Sequence, residues 1–271
     1  MAANIVLFID GTWNRPFVGG FGKNTNVRKL FKAAAANPSQ KRLYLRGVGT
    51  ERTFWQKAAG GISGWGTKQR IQRAYQFLSA NYDEGDFVYL FGFSRGAFAA
   101  RSLAGFVDAV GLLLKDKLNF VEQAYALYEH RPQHSQLELR SLLRRMTGAE
   151  KPNAEDRTQL PIYFIGVWDT VGALGLPGRM RKFSAPFTEY HQTDLPSNVT
   201  HARHALALHE LRQPFEPLLW GAFRRRSRHS NKYGSPGLTR MLEAAIKKQR
   251  LCGLMRHCIG WHRRPLTKAS S

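Results

Sequence analysis

The sequence predicts an α/β fold with a mostly parallel sheet and flanking helices. Residues 4–9, 86–91 and 161–167 are apolar runs without polar alternation, the pattern of strands buried on both faces. Between them lie longer stretches with apolar residues at helical spacing, and strands alternating with helices are the signature of parallel crossover units. A length of 271 residues, 43% of them hydrophobic, is enough for one large domain to bury a core without disulfides or metal.

Each element has a local reason. Residues 4–9 (Asn-Ile-Val-Leu-Phe-Ile) close on Asp10-Gly11-Thr12, a buried strand running into a turn. Asn24-Thr25-Asn26 caps a helix whose Val27, Leu30, Phe31 and Ala34 share a face, and which stops near Asn37-Pro38. Residues 42–48 form a second strand, and the glycine-rich stretch 60–66 is a loop. Thr67 caps a helix running through Tyr82, with Ile71, Tyr75 and Leu78 along one side. Residues 86–91 (Asp-Phe-Val-Tyr-Leu-Phe) are the clearest buried strand and lead through Gly92-Phe93-Ser94-Arg95-Gly96 into an alanine-rich helix over 97–114. Amphipathic helices follow over 119–129 and 135–146, then a polar loop over 148–159. Residues 161–167 are a further buried strand ending at Trp168-Asp169-Thr170, and 201–211 read as a helix. The strands around Ile5, Val88 and Ile162 should be central, and the chain has no internal repeat.

Charge divides the chain. Of 41 basic and 19 acidic residues, 13 basic and one acidic (Glu243) lie in the last 48 residues, from Arg224. Both cysteines, Cys252 and Cys258, fall in the same segment. Residues 1–223 are therefore read as one domain and 224–271 as a separate basic tail. Two cysteines exclude a disulfide scaffold. No uncharged apolar run is long enough to span a bilayer, so no transmembrane segment is expected. The start Met1-Ala2-Ala3-Asn4 lacks a basic region and cleavage site, so no signal peptide is expected and the producing cell's cytoplasm is the expected location.

Gly92-x-Ser94-x-Gly96 carries the strongest chemical signal. A tight turn between a buried strand and a helix lifts a serine hydroxyl above the sheet, and small neighbours let the two elements approach. The helix N-terminus behind it offers N–H groups to an oxyanion, with the Arg95 N–H the nearest. A serine nucleophile needs a base and an orienting acid, and in such folds the chain order is serine, acid, histidine. Asp169 suits the acid, because open α/β sheets place their sites beyond the C-terminal strand ends. Gly11 and Thr12 also follow a strand end, where their N–H groups would complete an oxyanion hole. Plain turns at Ser94, Asp169 and Gly11 are the competing structural accounts.

Four ordered motifs carry a resemblance: Asp10-Gly11-Thr12-Trp13-Asn14, Gly92-Phe93-Ser94-Arg95-Gly96-Ala97, Trp168-Asp169-Thr170-Val171-Gly172 with Ala173-Leu174-Gly175, and Ala202-Arg203-His204-Ala205-Leu206-Ala207-Leu208. Over residues 4–221 the chain resembles the α/β-hydrolase domain of the type VI secretion phospholipase effectors (the Tle group) and their uncharacterised relatives. The resemblance implies an α/β-hydrolase fold and a Ser-Asp-His site acting on lipid acyl esters, with Ser94 as nucleophile and Asp169 as acid. It also implies export by a type VI apparatus, with a carrier or immunity protein as partner. One departure is His209-Glu210-Leu211-Arg212, where the family usually reads Asp-Glu-Arg after Ala-Leu-Ala-Leu.

A second departure is larger. After a segment matched by Phe215-Glu216-Pro217-Leu218-Leu219-Trp220, the family continues Q-V-W-F-P-G-x-H-S-D-V-G-G-G-Y, whose histidine follows a late strand. This chain lacks that motif in frame. It is recoverable from the genetic code: reading each codon's third base with the first two of the next, synonymous codons for residues 231–237 give Q-V-W-F-P-G, and those for residues 237–246 give A-H-S-D-V-G-G-G-Y. A frameshift between about Trp220 and Asn231 is therefore expected, with the sheet lacking its last strand. Residues 224–271 would then be out-of-frame peptide, disordered or poorly packed, and the enzyme impaired. His204 is the best remaining candidate base, although a histidine among alanines and leucines is more often a packed residue.

On that account Arg224-Arg225-Arg226-Ser227-Arg228 is not evidence of a nucleic-acid partner, and none is expected. Cys252, His257, Cys258 and His262 fit no standard zinc spacing, so no metal and no cofactor are expected. A catalytically dead remnant or binding module, and a basic nucleic-acid-binding protein, are the alternative functions.

Overall fold

The computed structural model describes residues 2–11, 24–34, 38–47, 65–129, 134–148, 160–170, 195–206 and 220. Thr12, residues 60–64 of the glycine-rich stretch, the polar stretch at 148–159 beyond Gly148, and the basic tail lie outside them, while Trp65 and Gly66, expected in the loop, open a helix instead. The described strands are β1 (Asn4–Ile9), β2 (Gln40–Leu45), β3 (Phe87–Phe93), β4 (Ile162–Trp168) and β5 (Val199–Ala205). The helices are α1 (Asn26–Ala33), α2 (Trp65–Asn81), α3 (Arg95–Val110), α4 (Val121–Glu129) and α5 (Gln136–Thr147), with a 3-10 turn over Lys115–Phe120 before α4.

All described strand pairs are parallel, in the order β2-β1-β3-β4-β5. This is the α/β architecture expected from the sequence, and β1, β3 and β4 are internal as their apolar runs require. Ile5 to Ile9 are wholly buried because successive side chains point to opposite, covered faces. Ile5, Leu7, Ile9, Val88, Leu90 and Ile165 pack on one face with α2, α3 and α4, while Val6, Phe8, Tyr89, Phe91 and Phe164 pack on the other around Val27 of α1. Chain order places β2 on one side of β1 and β3, β4 and β5 on the other, so the reversal lies between β1 and β3. Ligands in open α/β sheets bind beyond the strand C-termini at such a reversal.

Capping follows the sequence closely. Thr25 Oγ1 accepts from Arg28 N–H at the start of α1, and Ser135 with Glu138 forms a reciprocal capping box on α5. α3 is buried along its whole length, which its alanines permit by letting neighbours approach. It ends at Gly111, whose positive φ suits glycine and whose N–H reaches Val107 O. Among the described residues no single helix is long and apolar enough to cross a membrane.

Residues 201–211 do not begin as a helix. Residues 201–205 belong to β5, which pairs with β4 in the register Val167↔His204 and Trp168↔Ala205. Alanine-rich composition favours helix locally, but pairing on the exposed edge of β4 outweighs that preference over seven residues. Boundaries also shift: β2 begins at Gln40, before the expected Arg42, and α2 begins at Trp65, before Thr67.

Candidate active site

Ser94 occupies the turn between β3 and α3 with φ 55° and ψ −121°, a conformation that serine rarely adopts. The flanking glycines explain how the chain makes this turn. A Cβ at Gly92 would lie 2.6 Å from both Ala97 Cα and Gly96 O, and one at Gly96 would overlap Ile9 O and lie 2.6 Å from Asp10 O. Both glycines are therefore required by close backbone approach. Ser94 N–H donates to Trp168 O at 2.9 Å, tying the turn to the end of β4. Its hydroxyl makes no capping bond to the helix that follows.

Asp169 follows β4 and also has a positive φ, 41°. Its N–H donates to Ala205 O at 2.9 Å, which holds it against the end of β5. Ser94, Asp169 and His204 thus stand at the C-terminal ends of three adjacent strands, in the order of the chain. The registers Phe93↔Trp168 and Trp168↔Ala205 set them side by side.

His204 lies near the end of β5, buried and edge-on to the Trp220 ring at 5.3 Å between centroids. Its Nε2 lies 3.4 Å from Thr170 N, which donates to it, and 3.3 Å from Thr170 Oγ1. Accepting from a backbone N–H leaves the proton of a neutral ring on Nδ1. Arg101 sits over the other ring of this stack, 5.2 Å from the Trp220 centroid. Trp220 is therefore packed into the fold at the C-terminal strand ends.

Beyond β1, Asp10 is a buried hub. One carboxylate oxygen accepts from Gly11 N–H at 2.8 Å, and the other from Thr25 Oγ1 at 2.8 Å and Tyr44 Oη at 2.6 Å. The Gly11 N–H expected at an oxyanion is thus engaged by Asp10 in this conformation, and Thr12 lies outside the described residues. Burial, and then the Asp10 hydrogen bond, push the Tyr44 phenol up to about 12.

Two buried arginines complete the neighbourhood. Arg95 begins α3, and burial pushes its guanidinium down to about 10. Arg70 reaches in from α2 and donates through Nη2 to Asp10 O. Burial, then the like charge of Arg95, lower it to about 10 against the pull of Asp10. Sequence reading missed Arg70, Thr25, Tyr44 and Thr170. A signal existed for Arg70: it shares the inward face of α2 with Thr67, Ile71, Ala74 and Leu78, where a charge is out of place. No group of three metal-ligating side chains is gathered among the described residues.

Residues 3–251 match the model of the type VI secretion system phospholipase effector Tle1-like catalytic domain. An uncharacterized protein of Saccharomyces cerevisiae is 29% identical over 232 residues, which cover 79% of this chain and 32% of that protein. The crystal structure of an uncharacterized protein from Pseudomonas aeruginosa aligns with a TM-score of 0.41 at 18% identity, covering 78% of this chain and 36% of the other. The chain spans about a third of the length of these two relatives. With the family model matched over nearly the whole sequence, the chain belongs to the Tle1-like catalytic-domain family of type VI secretion phospholipase effectors.

Proposed function

We propose that this chain is a serine hydrolase domain acting on the acyl esters of lipids, with Ser94 as nucleophile and Asp169 as the acid that orients its base. The observation that supports this most is the positive-φ turn at Ser94, set between two glycines and bonded to the end of β4 beside Asp169. Strained backbone of this kind is kept where function requires it. In the proposed reaction Ser94 Oγ attacks the ester carbonyl while the base takes its proton. The Arg95 N–H, with N–H groups of the Gly11-Thr12 turn once Gly11 releases Asp10, holds the oxyanion. Water then hydrolyses the acyl-enzyme.

The base is proposed to be missing from this chain. Trp220 still packs against His204 and Arg101, which supports an intact reading frame up to that residue. Beyond it, the family's histidine codon would straddle Leu238 and Thr239, reading CTC-AC. Residues 1–223 are then an incomplete hydrolase domain and 224–271 an out-of-frame tail. The chain would be weakly active or inactive, and any export by a type VI apparatus would act on a defective effector. A second reading has its own support, because the family match continues to residue 251. There the tail is in frame, and His204, at the end of β5 beside Thr170, is the base.

Fluorophosphonate labelling followed by peptide mass spectrometry tests the nucleophile. Modification at Ser94, lost in S94A, is the expected result for an activated hydroxyl, at a rate reduced by the missing base. Labelling that is unchanged in S94A would sink the assignment. Sequencing the gene separates the two readings of the tail: codons other than CTC-AC at Leu238 and Thr239 would remove the frameshift.

A further inference from the structure

A cationic cluster beside Ser94 is left unused by the hydrolase reading. Arg70 is buried, and its Nε and Nη1 are enclosed without a hydrogen-bond partner among the described residues. Its remaining nitrogen donates to Asp10 O. That oxygen would lie 2.6 Å from a Cβ at Gly96, so the Arg70 head sits against the first turn of α3, two residues from Ser94. Arg95 brings a second buried positive charge close enough to lower Arg70 further. Asp10 offsets part of this charge, but its carboxylate hydrogen bonds go to Gly11, Thr25 and Tyr44.

A buried guanidinium with unpaired N–H groups is strongly unfavourable unless an anion or carbonyl completes it. The arginine fork matches phosphate oxygens, and a helix N-terminus adds N–H groups and a positive dipole end. A carboxylate would be satisfied by the same donors, but the lipids named for the matched phospholipase family carry a phosphodiester. We propose that Arg70, with Arg95 and the N-terminus of α3, forms an anion subsite that takes the singly charged phosphodiester of a phospholipid bound at Ser94. Because Nε and Nη1 are enclosed, the proposed binding includes a local opening that exposes them to the phosphodiester. This inference rests on the lipid-hydrolase reading and adds to it the group that distinguishes a phospholipid from a neutral glyceride.

Binding to the full chain tests it without requiring turnover. Calorimetric titrations would use dihexanoylphosphatidylglycerol below its micellar threshold, dihexanoylglycerol, glycerophosphoglycerol and inorganic phosphate, against the wild-type chain, R70Q and R70K. The wild type should bind the phospholipid about tenfold or more tightly than dihexanoylglycerol, R70Q should lose that preference, and R70K should keep part of it. Equal affinity of the wild type for the two lipids, or an undiminished preference in R70Q, overturns the subsite. If circular dichroism shows R70Q unfolded, the wild-type preference and its reduction in R70K decide. Competition by inorganic phosphate but not by glycerophosphoglycerol would overturn the headgroup as the source of the anion. Ser94 labelling, read in a chain with the frame restored after Trp220, reports separately: labelling without lipid preference defeats the subsite alone, and preference without labelling defeats the hydrolase reading alone.

Discussion

Replacing Gly96 with alanine puts a methyl group where β1 meets the start of α3. The new Cβ would lie 2.6 Å from Asp10 O and still closer to Ile9 O, against 3.4–4 Å for ordinary contact. The backbones must therefore separate by about 0.8 Å or more, and neither partner is a flexible side-chain end. Overpacking of this kind costs typically about 1–3 kcal/mol, and two backbone oxygens place G96A at the upper end. Gly148 supplies the control, because its φ is +70° but nothing lies within 4 Å of its Cβ position. G148A should lose only the left-handed conformational preference, about 1 kcal/mol. Urea unfolding followed by circular dichroism measures both. G96A should lose about 2 kcal/mol more than G148A and should also lose Ser94 labelling. Equal losses would show that close approach of β1 and α3 does not hold the turn.

Three further substitutions read other parts of the site. S94G should raise stability by about 1 kcal/mol in urea unfolding while ending labelling, because glycine adopts the positive φ without strain; a loss of stability would mean the turn is not strained. Y44F removes a hydrogen bond to Asp10 and should cost about 1 kcal/mol at neutral pH. The Tyr44 phenol is raised from 10.0 to about 12 in the folded state, so its contribution is full below pH 10 and is lost as pH rises toward 12. The difference in stability between wild type and Y44F should shrink over that window; a constant difference contradicts the assignment. D169N, made in a frame-restored chain, should slow ester hydrolysis by orders of magnitude with little change in unfolding midpoint, and an unchanged rate would remove Asp169 from the reaction.

The central strands were legible because burial on both faces leaves continuous apolar runs, and the turn at Ser94 because its glycines are dictated by contact. β5 was not. Its apolar residues Val199, Ala202 and Ala205 recur every third position instead of alternating, and its strand state comes from pairing with β4, which a local reading does not contain. The hub at Asp10 was equally hidden, since Thr25, Tyr44 and Arg70 reach it from α1, β2 and α2. Ser94 and Asp169 were readable as strand-end residues; the placement of His204 against Thr170 depended on knowing that β5 is a strand.

The central claim is a serine hydrolase whose base has been lost with the reading frame. Its most direct measurement is the hydrolysis rate of a short-chain ester by the chain as it stands and by a chain with the frame restored after Trp220. The restored chain should be faster by about a thousandfold or more, and S94A should abolish the gain. Equal rates for the two chains would contradict the claim and return the search for the base to His204.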